Sequence, residues 1–285
     1  MEFKEKFIAF VDILGFKNLV KAAENNTGMP LRQLLKIVKA LGTPEDREKY
    51  KRYGPIICPE SKYISSDLDF YITQISDCVI VSSEISPAGV INLLGHCWSA
   101  VIKLLKHGIM CRGYVTQGLI YHTEKYVVGS GYQKAYENEA NVKAFKQAAD
   151  ERGTPFIEID PVVCNYIKEC SDKCVIEMFN RFVKQDGDVV ALFPFKRLSH
   201  SFIVGGMFGT TFDPVKEKQS NQRMREMIQS MKDRIMSFVD SNNEKAVRKA
   251  EHYIRALDAQ IEICNKTDEI IDKLCAPFPR NASFK

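Results

Sequence analysis

Short apolar runs alternate with helical patterns along the first half of the chain. Residues 7–14 form an apolar run with one acid in its middle, which is typical of a buried central strand. The pattern predicts further strands at 68–74, 78–82 and 110–121, and helices at 16–23, 30–41, 87–107 and 132–149. Because only residues 75–77 separate two of these strands, we expect a tight hairpin there. Residues 43–66 lack clear periodicity and are interpreted as an insertion.

The order of these elements up to residue 150 is β-α-β-β-α-β with one added helix. It predicts an α/β fold of the α+β type, with a ferredoxin-like sheet and helices on a single face. Residues 151–285 are expected to form a C-terminal extension packed on the core 1–150. This extension has short strands at 156–159 and 189–195 and then long helical stretches, the second of which should start at a capping box, Ser241-Asn-Asn-Glu244.

Composition narrows the class of protein. Forty Lys and Arg against 36 Asp and Glu give a net charge of +4, which argues against binding to nucleic acid by bulk charge. No apolar stretch reaches the roughly 20 residues of a membrane helix. The charged N-terminus leads directly into a strand, so no signal peptide is expected. Nine cysteines without a CxxC pair indicate reduced thiols and a cytoplasmic protein.

Two acids carry the candidate chemistry. Asp12 lies within the first apolar strand, where an unpaired carboxylate is costly to bury, and Asp77 lies at the tip of the predicted hairpin. In a ferredoxin-like sheet the first and third strands are neighbours, so the two carboxylates should meet. Two carboxylates that are only a few ångströms apart repel each other unless a divalent cation lies between them. Mg²⁺ or Mn²⁺ occupies such sites in enzymes that transfer phosphoryl groups. The alternative interpretation is that Asp12 is a cap and Asp77 only a turn residue.

Four segments carry a resemblance to a known family. Phe10-Val-Asp-Ile-Leu-Gly-Phe16 resembles the first metal motif of class III nucleotidyl cyclases, and Ile75-Ser-Asp-Cys-Val-Ile80 resembles their second. Arg112-Gly-Tyr-Val-Thr-Gln-Gly118 is similar to the strand that follows in that family, and Val128-Gly-Ser-Gly-Tyr-Gln-Lys-Ala135 occupies the place of the family's last motif. Gly129, Ala135 and Glu139 make the chain resemble most the pyrimidine cyclases of bacterial Pycsar antiphage systems, which produce cyclic UMP or cyclic CMP. The resemblance covers roughly residues 7–145.

The resemblance implies a role for each of these segments. Asp12, Asp77 and the carbonyl of Ile13 would hold two Mn²⁺ or Mg²⁺ ions. The amides of Gly15, Phe16 and Lys17, at a helix start, would bind phosphates. A homodimer with shared sites is expected, with a separate cyclic-nucleotide-binding effector that reads the product.

The departures from the family concern base recognition and the last motif. Thr73 stands where purine cyclases have a base-reading Lys, and Tyr126 where they have an acid. We therefore expect a pyrimidine, UTP in preference to CTP, with Thr73, Tyr126 and Tyr50 at the base. Gln133 and Glu137 stand where the family has transition-state Asn and Arg. Arg112 or Lys134 would then supply the missing positive charge beside Gln133.

Two other function classes stay open. The altered last motif is also compatible with a catalytically degenerate, nucleotide-binding regulatory module. A different palm-like phosphoryl transferase, such as a diguanylate cyclase, is disfavoured because the hairpin reads Gln74-Ile-Ser-Asp77 rather than GG[DE]EF. The leading expectation is a phosphorus–oxygen lyase that converts UTP to 3′,5′-cyclic UMP and diphosphate as an antiviral signal.

Overall fold

The computed structural model describes residues 1–197 and 212–275. The strands are β1 (Lys4–Ile13), β2 (Tyr71–Ile75), β3 (Cys78–Glu84), β4 (Cys111–His122), β5 (Val127–Val128), β6 (Ile157–Ile159), β7 (Val183–Asp186) and β8 (Val189–Leu192). The helices are α1 (Phe16–Glu24), α2 (Leu31–Ala40), α3 (Pro44–Tyr53), α4 (Pro87–Leu105), α5 (Ser130–Glu139), α6 (Pro161–Glu169), α7 (Lys173–Phe182), α8 (Pro214–Phe238) and α9 (Glu244–Cys275). A short 3₁₀ helix covers Pro194–Arg197.

The strands form one mixed sheet in a mixed α/β fold. Its order is β2-β3-β1-β4-β6-β8-β7, and β5 pairs with the end of β4. β1 is antiparallel to both β3 and β4, as the order of the first four strands predicts. β6 joins β4 in parallel, and β8 and β7 continue outward as an antiparallel pair. Residues after 150 therefore extend the same sheet.

Helices cover both faces of the sheet, which corrects the expectation of a single covered face. Alternate residues of β1, from Phe7 to Ile13, pack with α4, α6 and α7 in the larger core. The residues between them, Ile8 and Phe10, pack with Ala135 of α5 on the other face. The smaller core on this second face places α5 directly over the centre of the sheet.

The helical hairpin α8–α9 adds a second core at one end of the molecule. Ile228, Met231 and Ile235 of α8 are buried against Tyr253 and Leu257 of α9. Three methionines of α8, Met224, Met227 and Met231, also pack in this core. The first turn of α9 is capped by Asn243, whose side chain accepts from the amide of Ala246 at 3.2 Å. The cap is therefore Asn243 rather than the predicted Ser241.

Two predicted boundaries are wrong. Residues 43–66, interpreted as an irregular insertion, contain helix α3, which begins at a capping box formed by Thr43 and Asp46. Helix α5 ends at Glu139, ten residues before the predicted end. The carboxylate of Glu158 accepts from the amides of Lys143 and Ala144, which holds the chain after α5 in a non-helical path.

The expectation that no apolar stretch reaches the length of a membrane helix is wrong for α4, which is long and apolar enough to cross a membrane. However, 72% of its 18-residue apolar window is buried inside the protein. Its buried residues, including Leu93, Leu94 and Leu104, belong to the larger core. The helix is therefore explained as the central core helix of a globular fold.

All nine cysteines are free.

Candidate active site

Asp12 and Asp77 meet where β1 ends beside the β2–β3 hairpin. Asp12 pairs across the sheet with Cys78 on one side and with Arg112 on the other. Ser76 and Asp77 form the two-residue turn, with Ser76 at a positive φ of 54°. The amide of Ile13 donates to the carbonyl of Asp77 at 3.0 Å, which attaches the hairpin tip to the end of β1. The predicted proximity of the two acids is therefore fixed by backbone hydrogen bonds.

The electrostatics of this corner are dominated by negative charge. Burial, together with the charges of Glu139 and Asp77, raises the pKa of Asp12 to about 7, and Arg112 opposes the shift. Burial and the same three carboxylates raise the pKa of Cys78 to about 11. An added cation would relieve this repulsion and favour the ionised form of Asp12.

Glu139 is a third acid at the site, and the sequence analysis assigned it no role. It is buried and accepts a hydrogen bond from Nε of Arg112 in an ion pair. Gly131, Ala135 and Glu139 are spaced by four and form the buried side of α5. At Gly131 a side chain would collide with Ile8 and with the backbone of Gly118, so a small residue is required for α5 to approach the sheet. In the sequence, Glu139 is marked by this spacing and by the run of Gly129, Ala135 and Glu139 that carries the resemblance.

The donor set suits a hard divalent cation. Two carboxylates and a backbone carbonyl are oxygen ligands of the kind that Mg²⁺ and Mn²⁺ prefer. Within the described residues, no group of three or more His, Cys, Asp or Glu side chains is arranged to hold a metal ion. A metal at Asp12 and Asp77 would therefore take its remaining ligands from the backbone, from water or from a phosphorylated substrate.

The predicted phosphate-binding segment lies next to Asp12 in the chain. Gly15 is the N-cap of α1 in a left-handed conformation with φ of 75°, and no acid occurs in the first turn. Lys17 is exposed. The helix start is thus compatible with an anion so far as its own first turn is concerned, because that turn contains no carboxylate; the nearest acid is Asp12 at the end of β1.

The residues predicted from the last motif lie on the outer side of α5. Gln133 and Glu137 are exposed. Lys134 forms an ion pair with Asp160, Nζ to Oδ2 at 2.6 Å, and Thr116 donates to the same oxygen at 2.6 Å. Thr116 is four residues from Arg112 along β4, so the backbones of these two residues are about 13 Å apart. Within one chain, Lys134 and Arg112 therefore belong to different charge clusters.

The three predicted base-contacting residues are not brought into one pocket. Thr73 shares a hydrogen bond of 2.9 Å with Nε2 of His122, whose Nδ1 is 2.8 Å from the hydroxyl of Ser82. Tyr50 stacks on Phe70 at 4.5 Å between ring centroids and packs against the larger core. Tyr126 is 61% exposed in the turn between β4 and β5. His122, to which the sequence analysis gave no role, is thus the direct partner of Thr73.

Burial, together with the charges of Lys6 and Arg47, lowers the pKa of His122 to about 3. The ring is neutral at physiological pH, so it donates from one nitrogen and accepts at the other. Thr73 pairs across the sheet with Ile80, which pairs in turn with Phe10. Thr73 therefore lies on the same face of the sheet as Phe10 and Asp12. The polar Thr73–His122 group and the acidic corner therefore occupy different parts of one face.

No known protein-family model matches the chain. A search of curated proteins also finds no significant match. The function is therefore inferred from the residues and from their geometry.

Proposed function

We propose that the protein is a metal-dependent pyrimidine nucleotidyl cyclase that converts UTP to 3′,5′-cyclic UMP and diphosphate. CTP is the alternative substrate. The ferredoxin-like interpretation of the strand order β2-β3-β1-β4 belongs to this proposal, as does the resemblance to the Pycsar cyclases. On that resemblance, the product would be an antiphage signal made in the cytoplasm and read by a separate effector.

One observation carries the proposal: the hydrogen bond from Ile13 to Asp77 joins two acids from different strands beside an arginine. Asp12 already carries a raised pKa there, and Asp77 is among its causes. A fold gains no stability from gathering carboxylates that repel. Such an arrangement is typical of a site that receives a cation with its substrate.

The chain's own residues can orient the reacting groups. In the cyclisation, the ribose 3′-oxygen attacks the α-phosphorus, loses its proton, and displaces diphosphate. Bound divalent ions would supply charge neutralisation and lower the pKa of the 3′-hydroxyl. Asp12 and Asp77 would hold these ions, and the amides of Gly15 to Lys17 would bind phosphate oxygens.

The separation of the two polar groups on one sheet face supports a shared, dimeric site. Asp12 and Thr73 face the same side, whereas Gln133 and Lys134 of the same chain are exposed and Lys134 is paired with Asp160. We propose a homodimer in which one subunit supplies the acids and its partner supplies residues of α5. In this assembly, mixing inactive Asp12→Ala and Gln133→Ala subunits restores activity, whereas a fully active monomer would contradict it.

A second candidate function is a nucleotide-binding regulatory module without catalysis. This alternative is favoured because both side chains expected to supply catalytic positive charge are already in ion pairs. Arg112 is paired with Glu139, and Lys134 is paired with Asp160. Glu137 also stands where a cationic side chain is expected. Tight nucleotide binding without turnover, with either Mg²⁺ or Mn²⁺, would favour this alternative.

The test is incubation with each of the four ribonucleoside triphosphates and Mn²⁺, with products identified by mass spectrometry. We expect cyclic UMP as the main product from the wild type. Asp12→Ala and Asp77→Ala should abolish it, whereas Asp233→Ala, an exposed acid of α8, should retain it. A clear preference for ATP or GTP would contradict the pyrimidine assignment.

A further inference from the structure

A basic cavity of about 390 Å³ lies between the segment at residues 150–152 and the first turns of α9. None of the predicted site residues lines it. Its walls contain four cations and two acids: Asp150, Glu151, Arg152, Lys245, Arg248 and Lys249. The C-terminal extension therefore contributes a concentrated positive charge to one place on the surface.

The position of these cations opposes the stability of the fold. Since α9 begins at Glu244, Lys245 lies in its first turn, where the helix dipole disfavours positive charge, and Arg248 and Lys249 follow in the second turn. Among the residues that the structure describes, none of the four cations of the cavity forms an ion pair. Their charge is available to an anionic ligand.

The wall opposite α9 is held in place by hydrogen bonds. Glu151 lies 2.8 Å from Nε2 of His252 and accepts from the amide of Gln147 at 2.8 Å. Gln147 also contacts Nδ1 of His252 at 3.2 Å. Both His252 and Glu151 are buried. This network fixes the 147–151 segment against α9 and engages one of the two acids, so the cavity is a formed feature.

Arg112 links this cavity to the acidic corner. Its guanidinium lies against Gly153, where a side chain would collide with it, and Gly153 has a φ of +64° that also favours glycine. On its other side, Arg112 is the cross-strand neighbour of Asp12. Burial lowers the pKa of Lys249, and the charge of Arg112 lowers it further, so the two cations are close enough to repel each other. Glu139 and Glu151 oppose this shift, so Arg112 and the start of α9 belong to one group of charges. In this group five cations, Arg112 and the four of the cavity, outnumber the acids Glu139, Asp150 and Glu151.

We propose that this cavity is a polyphosphate-binding site that receives the β- and γ-phosphates of the nucleoside triphosphate and retains the diphosphate product. The inference rests on the proposed cyclase function for the identity of the nucleotide. In this arrangement the metal-binding acids would lie at the α-phosphate and the cations of α9 at the γ-phosphate. Arg112 would lie between them. Guanidinium and ammonium groups bind phosphate oxygens through charge-assisted hydrogen bonds.

The test measures binding of inorganic tripolyphosphate to the full chain by isothermal titration calorimetry, in chelator and without added metal. Lys249→Gln and Arg248→Gln should each weaken binding at least tenfold. Arg255→Gln, an exposed cation further along the same helix, is the matched control and should change it less than twofold. Because burial and the charge of Arg112 disfavour the charged form of Lys249, the Lys249→Gln variant should also melt at an equal or higher temperature.

The outcomes separate this inference from the cyclase proposal. Tripolyphosphate binding that depends on Lys249, in a protein that forms no cyclic nucleotide, would support the cavity and contradict the cyclase. In an active cyclase, Lys249→Gln should raise KM for the nucleotide with a smaller effect on kcat. An unchanged KM together with unchanged tripolyphosphate binding would overturn the cavity assignment, as would a preference for a single-stranded oligonucleotide over tripolyphosphate.

Discussion

Replacement of Asp12 by Asn should stabilise the metal-free protein at alkaline pH. The pKa of Asp12 is raised from 3.8 to about 7 in the folded state. Between these pH values the folded protein keeps a proton that the unfolded chain has lost. Stability therefore falls as the pH rises through this window, and the penalty is complete above pH 7. Asn carries no charge, so the variant escapes the penalty.

The magnitude follows from the shift and from the exposure of the group. About three pKa units at roughly 1.4 kcal/mol each give about 4 kcal/mol without screening. Because Asp12 is only half-buried, solvent screening reduces this to about 1–2 kcal/mol. Urea unfolding in chelator should show Asp12→Asn more stable than the wild type by this amount at pH 8, and equal to it near pH 4.

The same experiment discriminates a charged functional acid from a structural cap. A cap would make Asp12→Asn equally destabilising at both pH values, and that result would refute the electrostatic account of the site. Addition of Mn²⁺ provides an internal comparison, since it should stabilise the wild type at pH 8 and leave the variant unchanged.

Three further predictions concern the framework around the site. His122 resists protonation until about pH 3 in the folded protein, so the wild type should lose stability as the pH falls below 6.5. The His122→Gln variant should lose less stability over the same pH range. Equal pH dependence of the melting temperature in the two proteins from pH 7 to 4 would contradict this. Gly131→Ala should lower the melting temperature because its new side chain meets Ile8, whereas Gly95→Ala, with ordinary space in α4, should be neutral or stabilising. Leu257→Ala should lower the free energy of unfolding by about 2–5 kcal/mol, and a loss below about 1 kcal/mol would argue against a second core.

The acidic corner could be predicted because its determinants are local. An acid inside an apolar run located Asp12, and a short polar gap between two strands located Asp77. The order of the first four strands then made β1 and β3 neighbours, and the register between Asp12 and Cys78 agrees with this. Patterns of period two and strand order are sufficient for such a placement.

The remaining features depend on contacts between distant segments. Lys249 lies more than 130 residues after Arg112, and no periodicity in either segment indicates that they interact. The end of α5 is set by Glu158, a side chain from the next strand. Helix α3 is polar throughout, so only its capping box could have shown it. These features are set by tertiary contacts, and local patterns in the sequence do not reveal such contacts.

The most direct test of the central claim is the Mn²⁺ dependence of cyclic nucleotide formation from UTP, compared between the wild type and Asp77→Asn. If Asp12 and Asp77 hold the catalytic cation, the wild-type rate rises with Mn²⁺ and saturates. The variant should then remain at least 100-fold slower at every concentration. Equal rates and equal Mn²⁺ midpoints in the two proteins would contradict the assignment of this corner as a metal site.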